Sequence, residues 1–152
     1  MENGMSGYLR VATKEDMELL FVWANEEAVR RNSFSQKEIG YEEHQQWYQK
    51  LLNNKNSKQY IYVQDEVDIG QARVDIIGDE AEVGYSICKE KRGNGYGSEL
   101  LQLLIEQVRQ DFPQVKKIVG KVKPENIASQ KAFIKAGYRE SYFVFEQCVN
   151  EI

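Results

Sequence analysis

Histidine, cysteine and proline are scarce in this chain, and each shortage removes a class of function. A single histidine and two distant cysteines, Cys88 and Cys148, supply neither a C-x-x-C pair nor a ligand cluster. No metal site and no disulfide framework is therefore expected. Two prolines and eleven glycines in 152 residues exclude collagen-like and low-complexity chains. Basic residues are outnumbered, 20 against 24 acidic, for a net charge of −4. A general nucleic-acid binder would carry the opposite excess, so no nucleic-acid partner is expected. No apolar run reaches the roughly 20 residues that span a bilayer, and no membrane partner is expected. The opening MENGMSGYLR has no apolar core of the signal-peptide kind. A cytoplasmic location is the expectation. What is present suits a packed core: 41% hydrophobic and 11% aromatic residues. The length fits a single domain, taken as 1–152.

The hydrophobic pattern sets the order of elements. Tyr8–Thr13 reads as a short strand. Thr13 with Asp16 three positions on reads as a capping box opening a helix. Met17, Leu20, Phe21 and Ala24 give that helix an apolar stripe. Asn25 to Gly40 is polar and predicts a short helix and a loop. Tyr41 to Leu52 predicts a second main helix, with His44, Trp47, Tyr48 and Leu51 on one face. Tyr60–Val63, Val67–Ile77 and Glu80–Ile87 then predict an antiparallel meander, with a bulge at Gly70. A glycine-rich loop leads into a helix that Pro113 ends. Lys117–Val122 predicts a strand, Asn126–Ala136 a helix closed by Gly137, and Tyr142–Cys148 a last strand. The order β-α-α-β-β-β-α-β-α-β implies an α/β fold with a mixed sheet covered on both faces.

Chemistry concentrates in Cys88-Lys89-Glu90-Lys91-Arg92-Gly93-Asn94-Gly95-Tyr96-Gly97-Ser98. Three glycines in five positions let the backbone turn tightly and approach a ligand. The helix that follows adds unpaired N–H groups and the positive end of its dipole. On residue type alone, the loop is either a cradle for phosphate or pyrophosphate or a tight turn with a solvated basic rim. No Gly-Lys-Ser/Thr closes it, so it is not a P-loop. It follows a meander rather than the first strand of a βαβ unit, so it is not a dinucleotide fingerprint.

Arg92-Gly93-Asn94-Gly95-Tyr96-Gly97 resembles the R-x-x-G-x-G signature of the GNAT superfamily of acetyl-CoA-dependent N-acetyltransferases. Asn126-Ile127-Ala128-Ser129, followed by Phe133-Ile134-Lys135-Ala136-Gly137-Tyr138, resembles the superfamily's second motif. The resemblance covers nearly the whole chain. It implies a GNAT-type, mostly antiparallel sheet with a central splay between adjacent strands. Acetyl-CoA is the implied cofactor. Backbone N–H groups of Arg92, Gly93, Asn94, Gly95, Tyr96, Gly97 and Ser98 would hold its pyrophosphate. Tyr85 and Ile87 would pair with the pantetheine arm, which enters the splay, with Asn126, Ser129 and Phe133 beside it.

Acetyl transfer needs a neutral amine, a polarised thioester carbonyl and an outlet for the thiolate. Polarisation is expected from backbone donors on the strand at Gly84–Ile87. Glu82, upstream on that strand, is the candidate base. Strict alternation puts it with Gly84 and Ser86, opposite Val83, Tyr85 and Ile87. Many superfamily members carry a tyrosine seven residues after the motif Asn. Here that residue is Phe133, which holds no proton, so the acid is Ser129, Tyr138 or water, or the thiolate leaves unassisted.

The N-terminal half is expected to bind the acceptor. Phe21-Val22-Trp23-Ala24-Asn25, Arg30 and Glu42-Glu43-His44-Gln45-Gln46-Trp47 are similar to the W-R-N…R…e-e-H-x-x-W pattern of the aminosugar N-acetyltransferases of pseudaminic acid biosynthesis. Ala24 replaces the Arg of W-R-N. This implies Trp23, Asn25, Arg30, His44 and Trp47 as substrate contacts, and the 4-amino group of a nucleotide-linked dideoxy sugar as acceptor. A protein N-terminal or small-amine acetyltransferase is the alternative, and a non-catalytic CoA-binding module is a second. A small-molecule amine is the expected partner, bound by a monomer or homodimer.

Overall fold

The computed structural model describes residues 7–141 and 143–150. Strand β1 (Tyr8–Val11) leads through a 3₁₀ turn (Lys14–Asp16) into α1 (Met17–Ala24), α2 (Glu27–Asn32) and α3 (Tyr41–Leu52). Then come β2 (Ser57–Gln64), β3 (Val67–Ile77) and β4 (Glu80–Ile87). A second 3₁₀ turn (Lys89–Lys91) precedes α4 (Tyr96–Asp111), β5 (Lys117–Gly120) and α5 (Ile127–Lys135). The sheet order is β1-β2-β3-β4-β5, antiparallel throughout except for the parallel β4/β5 pair.

Strand β2 divides the core. Its alternating side chains send Tyr60 and Tyr62 to one face and Ile61 and Val63 to the other, all buried. The first pair joins Val74, Ala81, Val83 and the Leu100/Leu101/Leu104/Val108 stripe of α4. The second joins Ala12, Leu20, Tyr48 and Leu51 under α1 and α3. Buried phenols need partners. The Tyr60 hydroxyl donates to Asp111 at 2.5 Å, and the Tyr62 hydroxyl donates to Glu99. The tyrosines of β2 thus fasten both ends of α4. The bulge expected at Gly70 is present: Tyr62 pairs with Gly70 and Val63 with Asp68, leaving Ile69 extra. A Cβ on Gly70 would lie 2.8 Å from the Ser86 carbonyl oxygen.

At the entrance to α1, Thr13 and Asp16 form the expected capping box. Arg10 donates both terminal nitrogens to Asp16, at 2.9 and 2.8 Å, and one also to Asp68 at 3.1 Å. The Asp16 carboxylate additionally accepts from the Thr13 amide. The Arg10 hydrogen bond holds Asp16 below the ordinary value of 3.8 against the opposing effect of burial.

Two expectations are corrected. The strand expected over Lys117–Val122 ends at Gly120, because Phe133 of α5 fills the space beside it. The strand expected over Tyr142–Cys148 does not form: residues 143–149 carry no strand pairing, and Tyr142 lies outside the described residues. Phe143, Val144, Phe145 and Val149 are exposed. An alternating apolar run becomes a strand only when an edge accepts it, and among the described residues none pairs with this one.

The parallel pairing is short: Glu80, Ala81, Glu82 and Val83 face Lys117, Ile118, Val119 and Gly120, and then it stops. Beyond Val83, among the described residues, β4 keeps only β3 as a partner. The ring of Phe133 lies so close to Gly120 that a Cβ there would sit 2.3 Å from it. Tyr85 and Tyr138 meet the same ring edge-on, with centroids 5.8 and 5.0 Å away. An aromatic wedge therefore separates the two strands.

Two outcomes follow. Gly120→Ala should cost about 1–3 kcal/mol by overpacking, measured by denaturant unfolding. The loss should shrink in a Phe133→Leu background, because the two positions compete for one volume. Asp16→Asn should cost about 2 kcal/mol at neutral pH through the lost pair and cap. Since the native carboxylate titrates below 3.8, its contribution is present above that value and lost as pH falls through the depressed native value. The acid limb of the stability curve should flatten in Asp16→Asn and remain steep in the parent.

Candidate active site

The glycine loop lies where β4 ends and α4 begins. Gly93 and Gly95 both take φ +81°, the left-handed region that glycine adopts without strain. Among the described residues, nothing lies within 4 Å of a Cβ on Gly93, and near Gly95 only the Lys135 ammonium does, at 3.9 Å. Gly95 is the N-cap of α4, and no side chain caps the helix. The first amides of α4 therefore have no side-chain cap and carry the positive end of the helix dipole. Asn94 builds the loop, donating to the Lys91 and Arg92 carbonyls. Arg92 donates Nε to the Ile87 carbonyl at 2.9 Å and a terminal nitrogen to Glu26 at 2.5 Å. Tyr96 turns inward, edge-on to Tyr62.

This geometry fits an elongated anion. One end offers uncapped amides and the Lys135 ammonium for phosphate. The other offers the freed edge of β4 from Gly84 to Ile87, and a Cβ on Gly84 would meet nothing within 4 Å. A peptide-like arm can lie there as a further strand. Beside that edge, Ser129 shares a 2.9 Å hydrogen bond with the Tyr85 hydroxyl. Asn126 caps α5 by accepting from the Ser129 amide. Tyr138 donates to the Leu101 carbonyl, and burial pushes its phenol well above the ordinary value.

Val83 and Ile87 belong to the core beneath α4, with Tyr85 packed against it, so Glu82, Gly84 and Ser86 face the opposite side of β4. Glu82 pairs with Lys121 at 2.9 Å and is 37% exposed. Across β3 the register sets Asp75 opposite Glu82, Arg73 opposite Gly84 and Gln71 opposite Ser86. Gln71 donates to Ser86, and the Arg73 guanidinium lies 5.4 Å from the Trp47 ring. Trp47 is partly exposed, while its neighbour His44 is buried at 3% among Phe21, Trp47 and Tyr48. His44 Nε2 has no hydrogen-bond partner among the described residues. Burial pushes its imidazole pKa down and favours the neutral form. Trp23 packs against the core under α1 and α3.

Asn25 and Arg30 are engaged elsewhere. Asn25 bonds the Ile39 backbone in both directions at 2.8 Å. Arg30 donates to the carbonyls of Ala24, Ser35 and Lys37 and to the Ser33 hydroxyl. Together they fasten residues 24–39 into one piece. Alternation in the sequence places Ser86 on the Glu82 face, whereas Gln71, Arg73, Lys121 and Lys135 were not singled out. Only Lys135 carried a signal, inside the second glycine-ended motif. Gln71 and Arg73 reach the site through strand register and Lys121 through an ion pair just past the end of β5, neither of which a single sequence displays.

Residues 8–139 match the family model of the acetyltransferase (GNAT) domain. No curated protein matches the chain. Among solved structures, the spermidine N-acetyltransferase from Vibrio cholerae in complex with CoA and spermine is similar: 19% identity, 95% of this chain, 88% of that one, TM-score 0.82. The aminoglycoside acetyltransferase AAC(6')-Ib in complex with coenzyme A is 21% identical, over 90% of this chain and 86% of that one, with a TM-score of 0.77. A GNAT-family acetyltransferase from Streptococcus pneumoniae is 18% identical, over 86% and 83%, with a TM-score of 0.67. At these identities the likeness is one of fold. The family assignment rests on the domain match, with the opened β4 edge and the uncapped glycine loop where the fold requires them: the chain belongs to the GNAT family of acetyl-CoA-dependent N-acetyltransferases.

Proposed function

We propose that this enzyme acetylates the amino group of a sugar, with a nucleotide-linked 4-amino dideoxy sugar as the substrate class. The observation that carries the reading is one face of the sheet. It places a carboxylate (Glu82), a stacked Arg73–Trp47 pair and the Gln71–Ser86 polar pair beside the opened edge of β4. A partly exposed indole suits a sugar or base ring. Arg73 uses only Nε in its bond to Asp75, which leaves its terminal nitrogens for a diphosphate. Arg30, with its donors spent on Ala24 and the 33–37 loop, is assigned to shaping the pocket. Trp23, Asn25 and His44 support the same wall.

When bound, acetyl-CoA supplies an acetyl thioester whose carbonyl carbon exchanges a C–S for a C–N bond. Amides from Gly93 to Ser98, with Lys135, would hold its pyrophosphate. The backbone at Tyr85 and Ile87 would align its arm, with Asn126 and Phe133 at the side. Glu82 accepts the proton of the acceptor ammonium, and Lys121 holds the carboxylate in place. Ser129 Oγ, bonded to the Tyr85 hydroxyl, is the proton donor nearest to the arm. Tyr138, committed to the Leu101 carbonyl, is assigned a structural part.

A second reading is a small polyamine or peptide N-terminus. Its support is the surplus of Glu15, Asp16, Glu18, Glu26, Glu27, Glu38, Glu42 and Glu43 over four basic residues between positions 13 and 48. Release of CoA thiol decides between them. A UDP-linked 4-amino-4,6-dideoxy sugar should drive it fast, with spermine and N-terminal peptides slow. The reverse order would overturn the sugar reading, and release with none would leave a CoA-binding module. With the accepted amine, Glu82→Gln should cut kcat about 100-fold or more and leave acetyl-CoA affinity within about twofold. An unchanged kcat would remove Glu82 from the proton transfer.

A further inference from the structure

Glu26 uses both carboxylate oxygens, and they face different parts of the fold. Oε2 accepts from the Ala28 amide at 3.1 Å and caps α2. Oε1 takes the Arg92 terminal nitrogen at 2.5 Å across a separation of 66 residues. Arg92 is itself anchored, through Nε, to the carbonyl of Ile87, the last residue of β4. The pair is partly buried, at 35% and 23% side-chain exposure. The Arg92 hydrogen bond keeps Glu26 below the ordinary carboxylate value, and Lys89 adds to that field.

The other end of α2 is tied as well. Lys123, after β5, donates to the Arg31 carbonyl at 3.4 Å and lies 5.9 Å from the Phe34 ring. Glu26 therefore reaches the loop that leaves β4, and Arg31 and Phe34 reach the segment that leaves β5. These are the two sides of the opening between the strands. Between them, Asn25 and Arg30 make residues 24–39 one mechanical unit.

We propose that Glu26 is a positioning residue: its bond to Arg92 registers the acceptor-side segment 24–39 on the glycine loop, so that cofactor in the loop orders the acceptor pocket. Cofactor and acceptor affinities are then reciprocally coupled. The proposal rests on the assignment of the loop to acetyl-CoA.

Glu26→Asp separates the two roles of the carboxylate. Aspartate caps a helix as well as glutamate or better, and its chain is one methylene too short to keep Arg92. Calorimetry with CoA should give an affinity within about threefold of the parent. Amide hydrogen exchange is the second readout. In the parent, saturating CoA should slow exchange across residues 26–39 about tenfold and also protect 93–98. In Glu26→Asp, protection at 93–98 should remain and that across 26–39 should vanish. Arg92→Lys should repeat that loss from the other side, while Glu26→Gln, which keeps the length, should retain part of it. Equal protection of 26–39 in the parent and both short-reach variants would overturn the coupling and leave the pair a purely structural bond. No response of 26–39 in a parent that binds CoA would also overturn it, with the loop assignment intact. A parent that binds no CoA would remove the loop assignment and this proposal together.

Discussion

The parting of β4 from β5 is the constraint on which the rest of the molecule depends. A parallel pair has no intrinsic reason to stop after four residues. It stops because the Phe133 ring occupies the space next to Gly120, where a larger residue would collide with it. The wedge is held from both sides by edge-on contacts with Tyr85 and Tyr138. The energy of an aromatic cluster thereby offsets backbone hydrogen bonds left unmade along the outer edge of β4 from Gly84, up to the Ile87 carbonyl, which accepts from Arg92. Those free groups are what a peptide-like arm can use. The residue that leaves the site without a tyrosine acid is thus the residue that holds the site open.

Around that opening the scaffold is stiff. Strand β2 supplies both cores, and its tyrosine hydroxyls fasten α4 near both of its ends. Because α4 carries the uncapped amides at its N-terminus, its placement fixes where those amides sit. Arg10 and Asp16 do the corresponding work for α1, joining β1, the capping turn and Asp68 on β3. The dipole at the cradle and the carboxylate at Glu82 therefore sit on elements that cannot drift independently.

The segment over residues 24–39 is built on a different plan. Residues 24–39 have little core of their own, and α2 has no buried residue. Side-chain to backbone bonds from Asn25 and Arg30 replace packing. Such a segment is ordered by a few directional contacts, so its position answers to whatever those contacts touch. One of them touches the glycine loop.

Much of the fold was legible in the residues. The alternation of Tyr60–Val63, the apolar stripe of α4, the Thr13/Asp16 cap and the bulge at Gly70 each follow from local periodicity or turn chemistry. The glycine loop was equally legible, since positive φ and an uncapped helix start leave a compositional trace. Three things were decided only in three dimensions. Gly120 and Phe133 are thirteen positions apart, and their competition for one volume appears only when α5 packs on the sheet. The resemblance implies Arg30 and Asn25 as ligand contacts, yet a polar side chain bonds whichever backbone group the loop brings within reach. The tail at 143–149 has the pattern of a strand without a pairing edge among the described residues. Local preference is written in the sequence. Which groups share a volume, an edge or a hydrogen bond is settled by the packing of segments distant along the chain.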